Sequence, residues 1–220
     1  MSDFLNDPFQ IRLQKRMETF GGAAGYLSGC RFDADNGKVP QLIHARNYVT
    51  HWTQMHQRGL GLILWGPPGS GKTFAAACIA NAFLESDDPF PPKIIMTDFG
   101  TILRQNLAAT PQQREEDTRR LLDAGLLILD DFGAERQTDY ANEQVYHLVN
   151  GRYLRKAPMI ITTNLTLQQL KAPESTAQHR ICDRLLEMCV PVCFDGESLR
   201  REKASENLQF FRQLTETVAS

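Results

Sequence analysis

The sequence predicts a three-layer α/β fold in which helices cover both faces of a mostly parallel five-stranded sheet. Three observations carry that expectation. Short apolar runs of strand length alternate with longer helical stretches, the pattern of βαβ units. The first run, Leu60-Gly61-Leu62-Ile63-Leu64-Trp65, passes directly into Gly66-Pro67-Pro68-Gly69-Ser70-Gly71-Lys72-Thr73, which fills the G-x-x-x-x-G-K-[ST] spacing of a phosphate-binding loop. A later run, Leu126-Leu127-Ile128-Leu129, ends in Asp130-Asp131, as a buried parallel strand does when its C-terminal end opens on a ligand crevice.

The elements follow in order. Residues 1–45 alternate polar helical stretches with breaks at Gly21-Gly22, Gly25, Gly29 and Gly37, and are too short for a core of their own; they read as an arm or a partner-docking segment. From Gln41 to Gln57, Leu42, Ala45, Tyr48, Val49, Trp52 and Met55 recur at helical spacing, and Gly59 and Gly61 punctuate the turn into the first strand. The phosphate loop opens an Ala-rich helix, Phe74–Phe83, and Asp87–Pro92 makes a rigid loop before a second strand at Ile94–Thr97. Helices are expected at Asp98–Leu107 and Pro111–Asp123, with Pro111 suited to a first turn. After the strand ending in Asp130-Asp131 comes a helix at Tyr140–Arg155, whose Val145, Leu148 and Val149 belong to the core. Met159–Asn164 is a strand with a polar tip, helical stretches follow at Thr166–Leu170 and Ser175–Cys189, and a last strand spans Val190–Phe194. From Ser198 onward the chain reads as one helix, so that residues 46–201 form the core domain and 202–220 a C-terminal helix.

Composition narrows the function classes. A chain of 220 residues with 42% hydrophobic content buries one good-sized core. A net charge of −2 supplies no global attraction for nucleic acid, so any DNA contact must come from a local cluster, for which Arg104, Arg114, Arg119 and Arg120 are candidates. Cys30, Cys78, Cys182, Cys189 and Cys193 contain no C-x-x-C pair, which argues against a metal site or a disulfide framework and for reduced thiols. Met1–Asp7 lacks a basic start followed by an apolar stretch, and no run approaches the roughly 20 apolar residues of a membrane span; a soluble, cytoplasmic protein without membrane partners is expected.

The loop chemistry points to a nucleotide. Backbone N–H groups of Gly66, Pro68's neighbour Gly69, Ser70 and Gly71 can converge on phosphate oxygens that a Cβ would obstruct, and Phe74 and its helix turn their positive dipole end toward the anion. Lys72 is expected to reach the β- and γ-phosphates, and Thr73 and Asp130 to hold Mg²⁺. Asp131 stands where a hydrolytic enzyme places the carboxylate that orients the attacking water.

With the order GPPGSGKT, LLILDDFGAE, IITTN and Arg180-Ile181-Cys182-Asp183-Arg184-Leu185, the chain resembles AAA+ ATPases of the DnaC/IstB type over about residues 40 to 201. The extension Asp130-Asp131-Phe132-Gly133-Ala134-Glu135 combined with Thr162-Thr163-Asn164 is more specific than the loop alone. The resemblance implies a P-loop NTPase (AAA+) core and, in a chain with about 26 residues after Phe194, no separate helical lid domain. It makes Asn164 a sensor 1, Arg184 or its helix neighbour Arg180 the arginine finger of an adjoining subunit, and Arg200 a sensor 2 residue, although Leu199 stands where an aromatic residue is usual. It also implies ATP and Mg²⁺ as ligands, ATP hydrolysis that is weak in an isolated subunit, and self-association through a shared ATP site. The function implied is loading of a replicative DNA helicase, with single-stranded DNA as a further partner. A transposition helper of the IstB kind, a non-hydrolysing ATP-gated scaffold and a small-molecule kinase are the competing readings.

Overall fold

The computed structural model describes residues 14–15, 18–20, 25–35, 37–88, 91–134, 138–173 and 175–217. The breaks at Gly21-Gly22, the start Met1–Asp7, the Pro89-Phe90 part of the predicted rigid loop, and Glu135 lie outside these residues. Two short 3₁₀ turns, Tyr26–Gly29 and Phe32–Asp35, lead into α1 (Leu42–Thr50) and α2 (Trp52–Gln57). Then follow β1 (Gly61–Trp65), α3 (Lys72–Leu84), β2 (Ile94–Asp98), α4 (Phe99–Ala108), α5 (Pro111–Leu122) and β3 (Leu126–Phe132). The chain continues with α6 (Asp139–Arg155), β4 (Met159–Thr163), α7 (Leu167–Lys171), α8 (Thr176–Met188), β5 (Cys189–Cys193) and α9 (Leu199–Thr217).

The five strands lie in the order β2-β3-β4-β1-β5, and every pairing is parallel. Parallel strands buried on both faces need apolar residues at successive positions, which is why each reads as an unbroken apolar run. Alternation then sorts the side chains. Leu62, Leu64, Leu126, Ile128 and Ile160 pack under α1 and α3, while Ile63, Leu127, Leu129, Met159 and Ile161 pack under α4, α6 and α8. Helix starts follow from local chemistry. Asp98 accepts the Thr101 N–H (2.8 Å), and Thr110 and Thr166 form capping boxes with Gln113 and Gln169.

Edge strand β5 carries Pro191 opposite Ile63. Because the Phe194 N–H donates to the Trp65 carbonyl (2.7 Å), the alternating donors at Val190 and Val192 also face β1, and position 191 faces outward. The described part of the N-terminal segment is docked rather than detached: Phe20, Cys30 and Val39 join the core cluster under α3. Among the described residues, no helix is long and apolar enough to cross a membrane. All five cysteines are free thiols, and burial pushes those of Cys78 and Cys189 up to about 12 and that of Cys182 to about 11.

Candidate nucleotide site

The loop between β1 and α3 takes its shape from residues with no side chain to spare. Gly69 sits at φ +86°, and a Cβ there would lie 2.1 Å from the Ser198 hydroxyl; Gly71, at φ +97°, caps α3 in the left-handed region. The Ser70 hydroxyl donates to the Pro67 carbonyl (2.9 Å) and closes the turn.

Lys72 is nearly fully buried, and its ammonium donates to the carbonyls of Gly66 (2.8 Å) and Pro67 (2.8 Å) and to Asn164 Oδ1 (2.9 Å). Burial lowers its pKa, while the Asp131 and Asp130 carboxylates pull it back up. All three ammonium donors are thus spent on the loop itself and on the tip of β4, a geometry that phosphate oxygens could take over.

Asp130 is the acceptor of a hydroxyl pair: Thr73 Oγ1 (2.8 Å) and Thr162 Oγ1 (2.6 Å) both donate to its Oδ1. Burial raises the Asp130 pKa and the two hydroxyl bonds oppose that rise. The next residue turns sharply. Asp131 adopts φ +53°, β3 shifts register against β4 between Leu129 and Phe132, and the Asp131 N–H donates to Thr162 Oγ1 (2.9 Å). Sequence reading ended the strand at Asp131; the bulge carries it on to Phe132.

Thr163 stitches the same tip together, donating to the Phe132 carbonyl (2.7 Å) and accepting the Leu165 N–H (3.1 Å), so that Asn164 projects from a fixed β4 end. The roles of Thr162 and Thr163 were hidden in the sequence, where both read only as the strand before Asn164.

Lys72, Thr73, Phe74, Asp131, Asn164 and Arg200 line one cleft of about 690 Å³. Asp130 stands behind it and touches it through Thr73. Arg200 arrives because the Leu199 N–H donates to the Gly69 carbonyl (3.1 Å), which seats the start of α9 on the phosphate loop. Pro68, Gly69 and Gly71 of the loop, with Tyr26, Leu27, Leu199 and Lys203, complete the lining; Tyr26, Leu27 and Lys203 had no place in the sequence reading of the site. The residues present fit a magnesium nucleotide: a cradle that a Cβ would fill at Gly69, a lysine ammonium, and a hydroxyl and carboxylate held together at 2.8 Å.

Arg180 and Arg184 lie on α8 and line no part of this cleft. Arg184 is engaged within its own chain. It donates to Asn150 Oδ1 (2.8 Å), the Arg180 carbonyl (2.9 Å) and the Tyr146 hydroxyl (3.4 Å), with its guanidinium 5.1 Å and 5.7 Å from the Tyr146 and Tyr153 ring centres. Arg180 is exposed. Arg104, Arg114, Arg119 and Arg120 are exposed on α4 and α5; Arg104 donates to Thr101 (2.8 Å), Arg114 to the Ala109 carbonyl (3.1 Å) and Arg120 to the Glu18 carbonyl (3.4 Å).

A phosphate loop after an inner strand of a parallel sheet, an acidic end two strands away on β3 and an amide at the tip of β4 between them define a P-loop nucleotide-binding protein with an AAA+ core. Comparison with known proteins sharpens the class. The IstB-like ATP binding protein family matches residues 32–207, and the chain belongs to that family. It is 27% identical over 178 residues to the replicative helicase loader DnaI of Bacillus subtilis, covering 76% of this chain and 56% of the relative. It is 28% identical over 152 residues to an insertion sequence ATP-binding protein of Sinorhizobium fredii, covering 68% and 49%. Its fold is similar to that in a crystal structure of DnaI, with TM-score 0.62, 21% identity, and coverage of 76% of this chain and 92% of that one. The chain spans about half the length of these curated relatives.

Proposed function

We propose that this protein hydrolyses ATP to ADP and phosphate and works in DNA replication as a helicase loader, assembling with copies of itself on a replicative helicase or single-stranded DNA. The observation that carries the reading is the cleft itself. Lys72, Thr73, Asp131, Asn164 and Arg200 meet there, whereas the α8 arginines lie elsewhere in the same chain.

Within that cleft, Lys72 would exchange the Gly66 and Pro67 carbonyls for β- and γ-phosphate oxygens. If the third ammonium donor also turned from Asn164 Oδ1 to a phosphate oxygen, the amide would become available to orient water. Asp131 would accept a hydrogen bond from the same water and turn its lone pair toward the γ-phosphorus, from which the ADP oxygen departs. Its carboxylate is one methylene shorter than a glutamate's, and the turn at φ +53° sets where it points. Thr73 and Asp130 would hold Mg²⁺, which when bound neutralises charge on the phosphates.

A guanidinium for the transition state would come from an adjoining subunit, from Arg180 or Arg184. Arg180 is exposed on α8 and within reach of a neighbour docked there, and Arg184 would first leave Asn150 and the two tyrosine rings. The transposition-helper reading draws support from the insertion sequence relative, whose likeness covers 68% of this chain.

The test is ATP turnover against protein concentration, with and without single-stranded DNA, for wild type, Lys72→Ala, Asp131→Asn, Arg180→Ala and Arg184→Ala. Turnover per subunit is expected to rise with concentration and DNA, and a mixture of Asp131→Asn with the arginine variant that lacks the finger to recover activity. The finger is worth about 10³–10⁵ in rate in related NTPases. Turnover that stays linear in protein and indifferent to DNA sinks the loader reading. Capture of a transposase in preference to a helicase transfers the same chemistry to transposition.

A further inference from the structure

We infer that Thr162 is a positioning residue for both carboxylates of the site: its hydroxyl pins the bulge in β3 that brings Asp131 into the cleft beside Asp130. The inference rests on the reading of Asp131 as the group that orients the attacking water.

Two adjacent acids on a regular strand cannot serve one site, because successive side chains point to opposite faces. Ile128 lies on the α3 face of β3, and Asp130 follows it there to meet Thr73. By the same alternation Asp131 would follow Leu127 and Leu129 to the face covered by α4, α6 and α8. Phe132 takes that place in the apolar cluster instead, and Asp131 lines the nucleotide cleft.

The register shows how the alternation is broken. Leu129 pairs with Ile161 and Phe132 with Thr163, so Asp130 and Asp131 together stand opposite Thr162. The Thr162 side chain, wholly buried, answers both residues: it accepts the Asp131 N–H (2.9 Å) and donates to Asp130 Oδ1 (2.6 Å). The polarity of these two bonds is forced. A backbone N–H only donates, so the hydroxyl oxygen accepts there and its one proton is left for the carboxylate. A side chain lacking that oxygen would deprive the Asp131 N–H of its hydroxyl partner, at a φ of +53° that a residue with a Cβ keeps only where its surroundings enforce it. Thr162 is in turn paired with Leu64 of β1, the strand that runs into the phosphate loop. One hydroxyl therefore fixes the water-orienting carboxylate and the metal-holding carboxylate relative to the strand that carries the loop.

The test is ATP turnover by the full chain with single-stranded DNA, for Thr162→Val and Thr162→Ser, each alone and combined with Asp131→Asn. Thr162→Val keeps the branched shape and loses the hydroxyl; its kcat is expected to fall about 10²-fold, the cost of a reacting group ~1 Å out of place, with KM for ATP little changed. Thr162→Ser keeps the hydroxyl and should restore most of the rate. In the Asp131→Asn background Thr162→Val should cost no further rate, because the group it would misplace is already gone. A crystal structure of Thr162→Val is expected to show Asp131 turned out of the cleft. Wild-type kcat in Thr162→Val, the same fold loss with and without Asp131→Asn, or a Thr162→Val structure that keeps Asp131 in the cleft overturns the positioning role. A wild-type protein that turns over no ATP, or an Asp131→Asn variant as active as wild type, overturns the hydrolytic reading instead, and the structure of Thr162→Val then decides whether the hydroxyl pins the bulge.

Discussion

Asp130 shows what a ligand-ready residue costs the protein that keeps it. Burial raises its pKa above the unfolded value, so between the two values the native state holds the proton more often than the unfolded chain does. Stability therefore falls as pH rises through that window and stays reduced above it. Asp130→Asn removes the charge while keeping an oxygen for the Thr73 and Thr162 hydroxyls. At pH 7 its urea midpoint is expected to equal or exceed that of wild type, and the difference should vanish as pH drops below the unfolded carboxylate value. Mg²⁺-dependent nucleotide binding should be lost in the same variant. A lower midpoint at pH 7 would show that the hydroxyl pair outweighs the buried charge.

Arg152 plays the corresponding part between elements. It lies within α6, wholly buried, and donates to the carbonyls of Leu121 (2.8 Å) and Leu122 (3.2 Å) in the last turn of α5, of Ala124 (2.9 Å) just past it, and of Pro158 (2.7 Å) before β4. Burial lowers its pKa to about 10, and the guanidinium stays charged at neutral pH, where it serves the negative end of α5. Arg152→Leu leaves those carbonyls without a donor. The expected loss is about 3–5 kcal/mol by urea denaturation, with Arg152→Lys recovering part of it, since an ammonium cannot reproduce the fork. Nothing in the sequence marks this arginine, because three of its four acceptors lie 28–31 residues upstream and become neighbours only when α5 and α6 pack. The strands, by contrast, were legible as apolar runs, and the phosphate loop and acidic strand end as fixed spacings. What escaped was contact made over long separations: Asn81 to Leu27, Arg184 to Tyr146, and Ser198 to Gly69. Glu187, three residues past Arg184 in the sequence, accepts from the Tyr153 hydroxyl (2.9 Å).

For the whole molecule, the cleft joins a segment that precedes β1 to one that follows β5, since its flanks come from Tyr26-Leu27 and from Leu199-Arg200. A ligand that fills it would tie both to the core and stabilise the native state by mass action. Magnesium ATP at about 100 times its Kd should contribute about 2.7 kcal/mol. For a chain of this size that corresponds to about 5–10 °C in Tm, readable by scanning calorimetry and absent in Lys72→Ala. Pro191 bears on how such a molecule could meet its copies. A sheet edge is an unsaturated surface that accepts any extended strand, and lacking an outward N–H at its middle, the β5 rim refuses that indiscriminate pairing. Copies that assemble as proposed above would then have to meet through side-chain contacts rather than by joining sheets, and a union of that kind can be undone where a continuous sheet could not.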